Sequence, residues 1–139
     1  MGWKAGEAQR PVPLPEWSGL RASDSVDEIA WSPDSTALAC DVTSEDGSKW
    51  ILRYSFKPRS YERLAAPGSL ARWLGDSRRI LYTDRASLRL LDIGTKKSIE
   101  ILTLGGSSLL GEVALAPDGK QIYMNVEAPE ADLWLMSLD

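Results

Sequence analysis

The chain contains no histidine at all. Serine–histidine and cysteine–histidine catalysis are therefore excluded within it, as are histidine-ligated metal sites. Cysteine is nearly absent too. Cys40 stands alone, so it can form no internal disulfide and no thiolate metal cage. Its neighbours Leu38, Ala39 and Val42 mark it as a buried structural thiol. Long apolar runs are missing; the longest are four or five residues, too short to cross a bilayer. Basic residues are outnumbered, 16 Lys and Arg against 20 Asp and Glu, giving a net charge of −4. That balance argues against a nucleic-acid partner, because phosphate binding needs a concentrated basic surface. No G-x-S-x-G elbow, phosphate-cradling glycine loop or C-x-x-C is present.

What remains is an ordinary globular composition: 139 residues, 43% hydrophobic and 26% charged. The length suits one domain and is short for two. The N-terminal stretch MGWKAGEAQRPVPLPEW lacks the apolar core of a secretory signal. Gly6 stands where a myristoylation site carries Ser or Thr. The compartment stays open.

The informative feature is an internal repeat. The segments WSPDS (31–35), WLGDS (73–77) and LAPDG (115–119) share Asp34, Asp76 and Asp118, spaced 42 residues apart each time. Trp31, Trp73 and Leu115 keep the same step, as do Leu38, Ile80 and Ile122. Within each repeat the local pattern is that of short strands. One run ends at the Asp turn (28–31, 70–73, 112–115) and a second follows it (37–42, 79–83, 121–126). A third comes after a polar loop (50–55, 88–93, 133–138), and a weaker fourth lies at 62–65 and 98–102. Each run is rich in β-branched, aromatic or leucine residues and bounded by Gly, Asp, Ser or Pro. Four strands in about 42 residues make one blade of a β-propeller. Pro33 and Pro117 preset the turns, the Asp side chains can accept from nearby amides, and Gly119 supplies permissive dihedrals. Ser35 and Ser77 stand in place of that glycine, which predicts slightly different turns in the first two repeats.

WSPDS, LAPDG and the closing DLWLMSLD resemble the repeat of TolB-like (WD40-like, PD40) propellers, which reads roughly WSPDG, an apolar strand, then D-L-W/Y-V-M-D. The resemblance covers residues 29–139. It departs in the middle repeat, where Leu74-Gly75 replaces Ser-Pro and Arg89 replaces an aromatic. It implies the fold and leaves the ligand open, since such propellers occur in translocation proteins, peptidase accessory domains and bacterial kinase sensors. Members are often periplasmic or extracytoplasmic. The resemblance implies no cofactor.

The expected architecture is all-β: three four-stranded blades, half of a six-bladed ring, closed by a second copy. Blade 1 spans 29–69, blade 2 spans 70–111, and blade 3 spans 112–139 without its own fourth strand. Residues 1–28 form an N-terminal arm with an unmatched segment, RPVPLPEW (10–17). There Pro11, Pro13 and Pro15 remove amide donors on one side of a strand only, while Val12 and Leu14 keep theirs. Such a strand pairs along one edge, as an outermost blade strand does; the bland alternative is an unpaired polyproline-type arm. Blades bury both faces against neighbours, and propellers carry four to eight of them. Three blades turning about 60° each sweep half a circle and leave two end faces open. Two copies arranged head to tail would close the ring, with Val12 and Leu14 of one chain completing the last blade of the other. The alternative is that the chain belongs to a longer propeller serving as a ligand-sensing or accessory domain.

In propellers the loops joining second to third strands, and those entering each first strand, form the channel mouth. Here they carry Glu45 and Asp46, Asp84 and Arg85, Glu127 and Glu130, then Asp27, Glu28 and Glu112. Convergent acidic groups would suit a cation or a basic protein or peptide. Against this, acidic loops are commonly just solvated, and no EF-hand-like spacing accompanies these. A carboxylate-based glycosidase is a distant third reading resting on fold analogy alone. No catalytic or metal-ligating residue is therefore assigned. Trp31, Trp73 and Trp134 are expected to pack between blades, while Trp3 and Trp17 could anchor the arm or a partner.

Overall fold

Each Asp turn closes in the same way in the computed structural model, which describes residues 11–105, 109–127 and 132–138. The amides of Ser32, Leu74 and Ala116 donate across the turn to the carbonyls of Ala37, Arg79 and Gln121, at 2.8, 2.8 and 2.9 Å. The aspartate oxygens accept from the amides two residues on, namely Thr36, Arg78 and Lys120. Ser35, Ser77 and Gly119 all take positive φ, +60°, +55° and +71°. The serines therefore hold the glycine conformation, and the three turns match, contrary to the sequence expectation. Backbone hydrogen bonding outweighs the Cβ penalty of about 1–2 kcal/mol that a left-handed residue carries.

Eleven strands in three antiparallel sheets follow from these turns. The first sheet is β1 (Ser25–Trp31), β2 (Ala37–Thr43), β3 (Lys49–Phe56) and β4 (Arg59–Ala65), paired in that order. The second is β5 (Ser69–Trp73), β6 (Arg79–Asp84), β7 (Ser87–Asp92) and β8 (Lys97–Thr103). The third holds β9 (Leu109–Leu115), β10 (Gln121–Glu127) and β11 (Asp132–Ser137), in the order β11-β10-β9. No helix occurs among the described residues. Each first strand contains a bulge: the register shifts between Asp27 and Ala30, between Ser69 and Arg72, and opposite Met124–Val126. Glu28 and Leu70, one repeat apart, take positive φ there.

The sheets stack face on face. Ala37, Ala39 and Ile51 of the first meet Ala71, Trp73, Ile80 and Tyr82 of the second. Leu81 and Leu88 of the second meet Leu110, Val113, Ile122 and Met124 of the third. Consequently β2 and β6 are buried on both faces, whereas β10 alternates strictly, with Ile122, Met124 and Val126 buried and Tyr123 and Asn125 exposed. The two end faces differ from expectation. The outer face of the first sheet is apolar, but Trp17 and Leu20 pack over part of it, against Leu38, Cys40, Val42, Trp50, Leu52 and Tyr54. The outer face of the third is mixed, with Tyr123 and Leu135 beside Gln121, Asn125 and Glu127.

Residues 11–17 form no strand in the single chain. They lie instead along the first sheet's outer edge. Trp17 stacks on Tyr61 at 5.4 Å and meets Trp50 at 6.3 Å, and the Tyr61 hydroxyl donates to the Pro15 carbonyl at 2.7 Å. Val12 and Leu14 are exposed. Cys40 is free and buried, with its thiol pushed up to about 11 by burial. Trp73 is buried between sheets, as expected. Trp31 and Trp134 are not: they are 58% and 55% exposed. Trp31 stacks on Phe56 of its own sheet, with no sheet stacked on that side among the described residues. Trp134 lies on β11, the edge strand of the three-stranded sheet. Trp3 falls outside the described residues.

Candidate functional site

The expected mouth residues do lie along one edge of the sheets. Ser25 pairs with Thr43, Ser69 with Thr83 and Leu109 with Glu127, so strand entries and β2–β3-type turns share that edge. They do not converge on one point. Glu45 and Asp46 line a cleft of about 580 Å³ between the arm and the first sheet, with Arg21, Asp24, Trp50 and Arg63. Asp84, Arg85 and Glu127 line a second, about 560 Å³, that crosses all three sheets and includes Lys49, Ser69 and Thr83. Both linings mix the two charge signs. Glu130 lies outside the described residues.

Several of these carboxylates already have local partners. Asp46 accepts from the hydroxyl and amide of Ser48 at 2.6 and 2.9 Å, and the hydroxyl holds its carboxyl below the usual range. Asp27 accepts from the Ser25 hydroxyl at 3.2 Å, and Glu28 faces Arg72 at 3.7 Å. Glu112 is exposed on β9. Among the described residues no group of three or more Cys, Asp or Glu side chains gathers as a metal site would require. Arg85 has a different part. It is the first of two residues in the β6–β7 turn and the only one with positive φ, +55°, the pattern of a type II′ turn that favours glycine. Arg85→Gly is expected to stabilise the chain by about 1 kcal/mol, read as a raised urea midpoint.

Of the residues that hold the sheets in register, Trp73 and Asp34 were marked by the repeat, but Asp41 was not singled out from sequence. Asp41 sits in the middle of apolar β2, only 7% exposed, and accepts from the amides of Leu70 and Ala71 at 2.6 and 3.3 Å. It thereby fastens the bulge of the second sheet to the first. Burial raises its carboxyl above the usual range, and the bonds from Leu70 and Ala71 oppose that shift. The Trp73 indole donates to the Ala30 carbonyl at 3.1 Å, and the Asp34 amide donates to the Ser77 hydroxyl at 2.9 Å. The available signal was an aspartate inside the run ALACDV (37–42), where nothing local satisfies it.

These stacked four-stranded units are shared with known propellers. TolB from Acinetobacter baumannii aligns at a TM-score of 0.65 and 15% identity, over 83% of this chain and 30% of its own. The chain has the TolB-like β-propeller fold. The propeller domain of the Trilobed protease from Pyrococcus furiosus, described as having an open velcro topology, aligns at 0.59 and 16%, over 81% and 40%. Oligogalacturonate lyase from Vibrio parahaemolyticus aligns at 0.61 and 11%, over 86% and 37%. The chain thus spans well under half of each of these proteins. No known family profile matches it, and no curated protein does.

Proposed function

We propose that the chain is a non-enzymatic binding and assembly module whose TolB-like half-ring is completed head to tail by a second copy. The supporting observation is the contrast between equivalent positions. Ile29 and Trp31 are 62% and 58% exposed, whereas Ala71 and Trp73, one repeat on, are 0% and 7% exposed because the first sheet covers them. A second copy's third sheet would give β1 the same cover. In this arrangement the arm, seated on Tyr61 and Trp50, lies where the preceding blade's outermost strand belongs. Exposed Val12 and Leu14 would then pair with β11 of the other copy. The cleft lined by Asp84, Arg85, Glu127 and Lys49 would face the channel mouth and take a protein or peptide partner of mixed charge.

The full chain is expected to sediment near twice 15.3 kDa, and removal of residues 1–17 to return it to monomer. A chain that stays monomeric favours the second reading, in which further blades of a longer polypeptide complete the ring. Similarity to TolB and to a protease propeller domain supports an accessory or sensing role in that case. An unchanged dimer after removal of 1–17 would reject the strand exchange alone.

A further inference from the structure

Beside the Glu28–Arg72 and Glu62–Lys96 ion pairs, four hydrogen bonds at three places fasten the first sheet to the second: Asp41 accepts from the Leu70 and Ala71 amides, the Trp73 indole donates to the Ala30 carbonyl, and the Asp34 amide donates to the Ser77 hydroxyl. The 42-residue repeat shows what stands at each corresponding place elsewhere. Between the second and third sheets the set is lost. Thr83 replaces Asp41 and turns to Ser69 of its own sheet, bonding its hydroxyl at 3.1 Å. Leu115 replaces Trp73 and has no indole to donate, and Gly119 replaces Ser77 and has no hydroxyl to accept. That interface is held by apolar packing.

At the two outer faces the same set returns. Advancing the first sheet's partners by two repeats gives Asn125 for Asp41, Ala114 for Ala30 and Asp118 for Asp34, all on the third sheet. Moving the second sheet's partners back by one gives Glu28 and Ile29 for Leu70 and Ala71, Trp31 for Trp73, and Ser35 for Ser77. Each replacement keeps at least one bonding group of the right kind. Asn125 retains an acceptor oxygen, Trp31 its indole donor, and Ser35 its hydroxyl acceptor. The backbone shape is kept as well, since Glu28 holds positive φ in its bulge (+46°) as Leu70 does (+56°), and Ser35 matches Ser77 (+60° and +55°). Asn125 faces away from the second sheet, on the exposed side of β10. Trp31 is open to solvent.

We infer that the third sheet of one copy docks on the first sheet of another in the register of the sheet 1–sheet 2 interface. Asn125 then accepts from one of the Glu28 and Ile29 amides, Trp31 donates to the Ala114 carbonyl, and the Asp118 amide donates to Ser35. This rests on the head-to-tail reading and adds its specificity. A polar code kept at both ends and dropped in the middle selects end-to-end contact over slipped stacking, because a shifted register leaves these groups desolvated and unpaired. The partner is thus a second copy of this chain, recognised by backbone amides and a carbonyl at its bulge and turns.

The test uses full-length Trp31→Phe, which keeps the ring and removes the N–H, and Asn125→Ala, with dimer dissociation constants from sedimentation equilibrium. Each is expected to weaken the dimer by about tenfold. Ile99→Ala, an exposed apolar change on β8, should leave it unchanged. Circular dichroism below the dissociation constant separates a folding defect from an interface defect. As a second readout, Ser35→Cys with Asp118→Cys is expected to give a covalent dimer under oxidation. A monomeric wild-type chain overturns the head-to-tail reading and this register with it. A wild-type dimer indifferent to Trp31→Phe and Asn125→Ala, and not cross-linked through 35 and 118, overturns the register alone.

Discussion

Asp41→Ala is expected to destabilise the chain by about 2–4 kcal/mol, measured by urea unfolding at fixed protein concentration. The magnitude follows from what is left behind. The amides of Leu70 and Ala71 sit in a bulge pressed against the first sheet, and the Asp41 carboxylate is their shown partner. Leu70 is held at positive φ, a conformation that a branched side chain avoids and that the carboxylate helps to fix. Alanine strands both donors away from water and frees the bulge to relax. Asn at the same place keeps one acceptor oxygen, so about half of the loss is expected. Equal losses for Ala and Asn would show that the charge, and not the acceptor geometry, does the fastening.

Trp50→Ala should have a comparable or larger effect, about 3–5 kcal/mol. Trp50 is 1% exposed and packs within the outer apolar face of the first sheet. Its ring meets Trp17, carries the Arg63 guanidinium 4.4 Å above it, and donates through its indole N–H to the Ser44 hydroxyl at 3.1 Å. Removing it empties a large volume and also frees the arm, since Trp17 loses one of its two aromatic contacts. Trp17 fluorescence should accordingly move toward that of a solvated indole in the variant. A Trp50→Ala chain with an unchanged urea midpoint would mean that the arm and the outer face are not coupled. Gly19 belongs to the same device: a Cβ there would sit 2.3 Å from the Trp17 ring, so the chain can pass over the indole only at a glycine.

The strands were legible in the sequence because the repeat aligned three weak signals into one strong one. No single WSPDS-like turn specifies a blade, but Asp34, Asp76 and Asp118 at equal spacing place the turn, and the turn places the two strands beside it. Strand ends were less legible. β1 begins at Ser25 and β9 at Leu109, ahead of Glu28 and Glu112 where the sequence reading starts these strands, because pairing continues on the far side of each bulge. The mouth was legible as an edge and not as a site. Asp46 and Glu28 share that edge with Asp84, yet side-chain partners at 2.6 to 3.7 Å draw them to separate places.

By itself the sequence determined the all-β class, the 42-residue unit, the Asp turns, the buried thiol and the exclusion of histidine chemistry. All of these depend on residue type and spacing along the chain, which are local properties. Only the tertiary structure decided which of two equivalent tryptophans is buried, where the arm lies, and that Asp41 serves the next sheet instead of its own. Those outcomes depend on what stacks against each face: the first sheet covers Trp73, and among the described residues no sheet covers Trp31.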